Sequence, residues 1–140
     1  MGCRVKKRIL IIDDEPDFVE LLQFRLQRDD NEFQVAQNGL EAMNLARSFS
    51  PDLILLDVLL PDLDGLTLCS ILRNEPETRN IPIFVVSGVN TQVTRLSALA
   101  AGATEFFGKP LDFAVFEATL RGALAGRDGR KEEIPAEIDA

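Results

Sequence analysis

Two short runs of branched apolar residues constrain the fold most, because each of them ends in acidic residues. Residues 9–12 lead into Asp13 and Asp14, and residues 53–56 lead into Asp57. Continuous apolar runs of this length are typical of strands that are buried on both faces of a parallel sheet. The sequence therefore predicts a parallel sheet with carboxylates at the carboxyl ends of two strands.

The rest of the chain continues the alternation of strands with helices. Further strands are predicted at residues 33–36, 81–86 and 104–107, and a helical apolar period follows each strand. Asn38 and Glu41 have the spacing of a capping box before the second helix, and Gly102 can end the fourth. Apolar residues recur at helical spacing in the first helix, and three share one face of the fourth: Phe18, Leu21, Leu22 and Leu26, and then Val93, Leu96 and Ala100.

This order of elements predicts an α/β fold, a doubly wound five-stranded parallel sheet in which each strand is followed by a helix, (βα)5. We take the flavodoxin-like strand order 2-1-3-4-5, in which ligands bind at the carboxyl ends of the strands, near the point where the order reverses. We expect one domain over residues 8–125, a basic arm at residues 1–7, and a flexible tail or linker stub at residues 126–140.

Composition excludes several classes of function. The 15 Lys and Arg residues against 23 Asp and Glu give a net charge of −8, the wrong sign for direct contact with nucleic acid or an anionic membrane. The chain has no histidine, which removes His-ligated metals and Ser-His-Asp or Cys-His nucleophiles. No apolar run approaches the roughly 18 residues of a membrane span, so we expect a cytoplasmic protein.

The carboxylates at the strand ends predict a metal site. With the 2-1-3-4-5 order, Asp13, Asp14 and Asp57 converge, and three ionised carboxylates need a cation nearby. Mg²⁺ fits this set best, because it prefers oxygen ligands and keeps waters that a phosphate can displace. Lys109, at the end of the fifth strand, adds a second positive charge. Asp57 is the predicted nucleophile, because it stands alone at its strand end and can form an aspartyl phosphate.

Five features occur in order along the chain: the pair Asp13 and Asp14, the isolated Asp57, the loop from Pro61 to Gly65, the pair Ser87 and Gly88, and Phe106 three positions before Lys109 and Pro110. Together, over about residues 8–124, they resemble the receiver domain of two-component response regulators, including the single-domain regulators of chemotaxis. By this resemblance, a histidine kinase or histidine phosphotransfer protein would phosphorylate Asp57. A downstream effector would then read the change.

The resemblance also implies functions for individual residues. Asp14, Asp57 and the backbone carbonyl of Leu59 would bind Mg²⁺, and Asp13 would act on the metal through water. In the same way, two catalytic residues would hold phosphoryl oxygens: Ser87 and Lys109. The peptide bond between Lys109 and Pro110 is expected to be cis.

The same resemblance implies a conformational switch. Phosphorylation would draw the Ser87 hydroxyl toward the phosphoryl group, and Phe106 would turn inward behind it, altering the face formed by the fourth helix, the fifth strand and the fifth helix. Phe106 has no hydroxyl, whereas many relatives have tyrosine there, so we expect the switch to act through packing. Leu59 and Val89 are apolar where the family often has polar side chains, which predicts slow loss of the phosphoryl group.

Other functions are possible for a chain of this pattern. A flavodoxin-like electron carrier is disfavoured because Asp13, Asp14 and Glu15 would repel a flavin phosphate. A haloacid-dehalogenase-type phosphatase has a second aspartate two residues after its nucleophile, where this chain has Leu59. A receiver-like module that binds proteins without phosphorylation remains the alternative. We expect the two remaining acids of the loop to shape its turn rather than bind metal: Asp62 and Asp64.

Overall fold

The structure is a computed structural model that describes residues 6–27 and 30–126. The described strands are β1 (Lys7–Ile12), β2 (Asn31–Ala36), β3 (Leu53–Leu56), β4 (Ile83–Ser87) and β5 (Glu105–Gly108). The described helices are α1 (Pro16–Leu26), α2 (Gly39–Ser48), α3 (Gly65–Asn74), α4 (Gln92–Ala100) and α5 (Phe113–Ala125). Most of the predicted basic arm and all but the first residue of the predicted tail lie outside the described residues.

The five strands form one parallel sheet in the order β2-β1-β3-β4-β5, which confirms the predicted fold class and strand order. Pairing is in register so that Ile12 lies opposite Leu56 in the neighbouring strand. Because these are the last residues of β1 and β3, the acids that follow them emerge side by side. β4 begins two residues later than predicted, after Pro82, whose nitrogen has no hydrogen to donate to a sheet.

Alternate residues of the central strands face opposite sides of the sheet, and each side forms an apolar core. Ile9 and Ile11 of β1 pack with α1 and α5. Leu10 and Ile12 pack on the other side, against α2, α3 and α4. The sheet is therefore covered on both faces, as a run of four buried residues in β1 and in β3 requires.

Side chains and one glycine define the helix ends. Asn38 accepts a hydrogen bond from the Glu41 N–H (2.8 Å), and the Glu41 carboxylate accepts one from the Gln37 N–H (2.8 Å). The predicted capping box is thus present, with its return bond one residue earlier than usual. Gly102 follows α4 with a φ of 110°, and a Cβ there would lie 2.3 Å from Cγ of Arg73. It ends the helix as predicted.

The predicted apolar face of α4 is exposed to solvent. Val93, Leu96 and Ala100 are exposed, and the buried residue of this helix is Ala98. In α1, Val19, Leu22 and Leu26 are buried, whereas Leu21 is 43% exposed. Both helices thus carry large apolar side chains that remain exposed: Leu21 and Phe24 in α1, and Val93, Leu96 and Leu99 in α4.

Two further features of the helices concern membrane crossing and the thiol of α3. Within residues 6–27 and 30–126, no helix has the length and apolar character needed to cross a bilayer. Cys69 is a free, buried thiol of α3. Burial raises the pKa of the Cys69 thiol, against a smaller opposing effect of Arg73, so the thiol is a core residue.

Candidate functional site

The acids after β1 and β3 form one cluster at the carboxyl end of the sheet. The Asp57 N–H continues the pairing by donating to the Ile12 carbonyl (2.9 Å), and the Asp13 N–H donates to the Ala36 carbonyl (3.0 Å). One carboxylate oxygen from each of Asp13, Asp14 and Asp57 lies within 4.8 Å of the others. The convergence expected from the strand order is therefore present.

Asp13 is the most deeply buried acid of this cluster. Its Oδ1 accepts the Glu15 N–H (2.9 Å), and its Oδ2 accepts from Nζ of Lys109 (3.1 Å). Burial raises the pKa of the Asp13 carboxyl, and the nearby charge of Asp57 raises it further. The Glu15 N–H and Lys109 oppose this rise without cancelling it. A carboxylate in this position gains stability from an added cation.

Lys109 connects the cluster to the fifth strand. Its Nζ lies 3.1 Å from Asp13, 3.4 Å from Asp57 and 2.5 Å from Oε1 of Glu15. It also lies 4.1 Å from the centroid of the Phe18 ring. Burial lowers the pKa of Lys109, but the hydrogen bond to Glu15 and the charges of Asp13 and Asp57 outweigh burial, so the net shift is upward. The ammonium is held firmly in its charged form.

A peptide bond and a lining of mixed polarity shape the entrance to the cluster. The bond between Lys109 and Pro110 is cis, as predicted. An open cavity of about 370 Å³ leads to the carboxylates. Its lining residues are Asp14, Glu15, Asp57, Leu59, Leu60, Pro61, Gly88 and Lys109. The lining therefore combines charged and apolar residues, with Leu59 62% exposed.

Two glycines flank the cluster in different ways. A Cβ on Gly65, the first residue of α3, would lie 2.3 Å from the carbonyl oxygen of Asp57 and 2.7 Å from Cα of Val58. A Cβ on Gly88 would meet no atom within 4 Å. The helix after β3 is thus packed directly against the backbone of Asp57, whereas the turn after β4 borders open space.

Ser87 lies next to the cavity but does not line it. It is fully buried, and its Oγ accepts a hydrogen bond from the Val89 N–H (3.1 Å). Its neighbour Gly88 lines the cavity instead. The predicted phosphoryl-binding hydroxyl is therefore at the correct strand end and is engaged with the backbone of its own turn.

Phe106 is buried between β5 and α4. It is 5% exposed, and it belongs to the core on the α2, α3 and α4 side. The Arg95 guanidinium carbon lies 5.1 Å from the centroid of its ring. The predicted switch residue is thus covered by a cation from α4, a contact that α4's apolar pattern did not indicate.

The acids of the loop before α3 act as helix caps. Asp64 accepts from the Leu66 N–H (3.4 Å) at the start of α3. Asp62 reaches α2, where it accepts from the N–H groups of Gly39 (2.7 Å) and Leu40 (3.1 Å). The Gly39 hydrogen bond is the largest cause of a lowered pKa for the Asp62 carboxyl. The sequence correctly placed both acids in structural positions, but the contact between loop and α2 was not foreseen.

Glu15 adds a fourth carboxylate to the three aspartates and Lys109 that the sequence placed at the site. The three aspartates and Glu15 carry four negative charges against the one positive charge of Lys109, which leaves three net negative charges before any metal binds. Glu15 directly follows the pair Asp13 and Asp14, so its position was a visible signal. Because Glu15 and Lys109 are 94 residues apart in the chain, their ion pair could not be predicted from the sequence.

The fold and the cluster agree with a known family. A family model described as the response regulator receiver domain matches residues 9–121. The chain belongs to the response regulator receiver domain family. This confirms the resemblance found in the sequence.

Individual relatives of this receiver domain support the assignment. Response regulator PleD from Caulobacter vibrioides is 37% identical over 114 residues, which are 81% of this chain and 25% of PleD. A two-component response regulator from Clostridium difficile matches with a TM-score of 0.80 and 32% identity, covering 86% of this chain and 97% of that one. The receiver domain of sensor histidine kinase PA1611 from Pseudomonas aeruginosa, solved with magnesium coordinated in its active site cleft, matches with a TM-score of 0.78 and 25% identity over 86% of this chain and 99% of its own.

The matched region is a domain of larger proteins in several relatives. This receiver domain spans about a quarter of PleD and about half of other curated relatives. Receiver domains of response regulators interact with histidine kinases and effector domains and bind Mg²⁺ at an acidic pocket. These relatives are signalling proteins, which argues against the electron-carrier and phosphatase alternatives.

Proposed function

We propose that this receiver domain accepts a phosphoryl group on Asp57 from a histidine kinase or a histidine phosphotransfer protein, in a reaction that depends on Mg²⁺. The observation that carries the proposal is the cluster of Asp13, Asp14 and Asp57 at an open cavity, with Lys109 in contact with two of the three acids. Of the three acids, Asp57 combines access to the cavity with a contact to Lys109, and α3 packs against its backbone.

The residues present fit a magnesium ion. Their donors are all oxygen atoms, and the raised pKa of the Asp13 carboxyl reflects a buried negative charge that Lys109 compensates only in part. Asp14, Asp57 and the carbonyl of Leu59 would hold the ion, with Asp13 acting through water. Bound Mg²⁺ supplies neutralisation of the negative charge on the phosphoryl oxygens.

The transfer step requires one nucleophile and one leaving group. A carboxylate oxygen of Asp57 forms a bond to phosphorus while the P–N bond of phosphohistidine breaks. The electron pair of that bond stays on the imidazole, which takes up a proton. Lys109 is already directed at Asp57, and it binds a phosphoryl oxygen that arrives there. The domain catalyses only its own phosphorylation and its slow dephosphorylation.

The response then reaches the surface through Ser87 and Phe106. The Ser87 oxygen accepts from the Val89 N–H, so its own hydrogen is available to donate to a phosphoryl oxygen, and this bond draws the β4–α4 turn toward Asp57. Phe106 packs under Arg95 of α4, so movement of that turn changes the α4, β5 and α5 face. A downstream effector protein or domain reads this face.

Intact mass after incubation with acetyl phosphate tests the proposal directly. Here the P–O bond breaks and acetate leaves. We expect one added phosphoryl mass with Mg²⁺ and none without it. Asp57→Asn abolishes the gain, whereas Asp64→Asn, which removes an acid of the same loop outside the carboxylate cluster, keeps it. Mass is the suitable readout because the chain has no tryptophan.

A wild-type protein that gains no phosphoryl mass in any condition overturns the proposal. Retained binding of Mg²⁺ in that case would favour the alternative, a receiver-like module that binds its partner without phosphorylation. Phosphorylation that persists in Asp57→Asn would assign the acceptor to another residue.

A further inference from the structure

Lys109 has one more acidic partner than the transfer reaction needs. An ammonium has three N–H donors, and all three are matched by carboxylates of Asp13, Glu15 and Asp57. The contact to Glu15, at 2.5 Å, is the shortest of the three. A phosphoryl oxygen arriving at Asp57 needs one of these donors, so one carboxylate must give up its hydrogen bond.

We propose that Glu15 is a positioning residue, which holds Lys109 in the resting domain and releases it when a phosphoryl group reaches Asp57. This inference rests on the proposed function. It assigns to Glu15 a control over how readily Lys109 becomes available.

Exposure decides which partner is released. The Glu15 side chain is 59% exposed, whereas those of Asp13 and Asp57 are 4% and 8% exposed. Water can therefore replace the lysine more readily at Glu15 than at Asp13 or Asp57. Glu15 is therefore the partner that loses least when Lys109 turns to a phosphoryl oxygen.

The Glu15 side chain also makes no hydrogen bond that caps α1. Glu15 occupies the N-cap position of this helix, and Pro16 begins the helix. The side chain is therefore directed to Lys109 rather than to the helix. Glu15→Gln keeps the shape of the residue and removes the charge that binds the ammonium.

The inference predicts that Glu15→Gln changes the rate of phosphorylation but not the rate at which the phosphoryl group is hydrolysed. Loss of the resting partner raises the starting free energy of Lys109 but leaves its contacts in the transition state, so phosphorylation becomes faster. Hydrolysis starts from a state in which Lys109 has already left Glu15, so its rate stays the same. For a partly exposed ion pair we expect phosphorylation to be about two- to fivefold faster.

The experiment compares rates of phosphorylation by acetyl phosphate at saturating Mg²⁺, followed by intact mass. Glu15→Gln is compared with wild type and with Asp17→Asn, which removes an equal charge from the first turn of α1 outside the cavity lining. We expect the faster rate in Glu15→Gln alone. The Lys109 Cε resonance gives a second readout, since without phosphodonor it should shift in Glu15→Gln and not in Asp17→Asn.

The outcomes separate the two proposals. If wild type is phosphorylated and Glu15→Gln is no faster than Asp17→Asn, Glu15 acts only as a surface charge and the inference alone fails. A slower rate in Glu15→Gln also overturns it, because Glu15 would then assist the reaction. If no variant and no wild-type protein is phosphorylated, the proposed function fails, and this inference fails with it.

Discussion

The guanidinium of Arg95 lies over the ring of Phe106, with its central carbon 5.1 Å from the ring centroid. The ring is 5% exposed and belongs to the apolar core on this side of the sheet. Ala98 is the buried residue of α4, and the stacked pair adds a further contact between this helix and β5. The position of α4 is thus tied to a ring that has no polar atom.

Truncation of this pair should separate packing from charge. Phe106→Ala leaves a cavity in the core and should lower the free energy of unfolding by about 3–5 kcal/mol. Arg95→Ala should cost only about 0.5–1 kcal/mol, the value of an exposed cation–π contact. Urea unfolding followed by circular dichroism measures both. Equal losses in the two variants would show that the guanidinium, and not the ring, holds α4.

The contact between Asp62 and α2 should make stability depend on pH. Hydrogen bonds from Gly39 and Leu40 lower the pKa of Asp62 below its usual value of 3.8. A lowered pKa stabilises the folded state above the unfolded pKa, and this contribution disappears as the pH falls through the folded pKa. Asp62→Asn should therefore lower the urea midpoint at pH 7 and have a smaller effect below about pH 4. A difference that stays constant with pH would contradict this explanation.

The buried carboxylate of Glu117 should need Arg25 more than Arg121. Arg25 lies 2.9 Å from Glu117 and also stacks on Phe113, whereas Arg121 lies 3.6 Å away and is half exposed. Arg25→Met should lower the free energy of unfolding by about 1–3 kcal/mol, because it weakens the pairing of a buried charge. The matched variant Arg121→Met should cost about 0.3–0.5 kcal/mol. Chemical denaturation that ranks the two variants in the opposite order would reject this assignment.

Loss of the phosphoryl group should be slow because Leu59 provides an apolar wall beside Asp57. Leu59 is 62% exposed, so a polar side chain there can hold water in the cavity. Leu59→Asn should shorten the half-life of the phosphorylated domain several-fold, measured by intact mass after removal of acetyl phosphate. Leu40→Asn is the control, since Leu40 is an exposed leucine of α2. If both variants decay like wild type, Leu59 does not limit hydrolysis.

The sequence predicted the sheet well because burial on both faces leaves little choice. Four consecutive branched residues in β1 and in β3 fit only a covered parallel sheet, and the acids after them then had to meet. The cluster of Asp13, Asp14 and Asp57 follows from this order alone. Such features depend on neighbouring strands and not on the path of individual side chains.

The contacts that the sequence did not predict join distant residues on the surface. The apolar spacing of Val93, Leu96 and Ala100 marks one face of a helix but does not say whether that face meets the sheet. In the same way, Glu15 and Asp62 are ordinary acids until Lys109 and α2 are placed beside them. Long side chains reach partners that only the folded chain identifies.

Because Gly65 is tightly packed and Gly88 is not, the two sides of the carboxylate cluster differ in their tolerance to substitution. At Gly65, even one methyl group would collide with the backbone of Asp57, so this side of the cluster does not tolerate a larger residue. On the Gly88 side, a Cβ can be added without contacting any atom within 4 Å. Substitutions at residue 88 are therefore expected to narrow the entrance of the cavity stepwise. Larger side chains there should exclude larger phosphodonors without changing the fold.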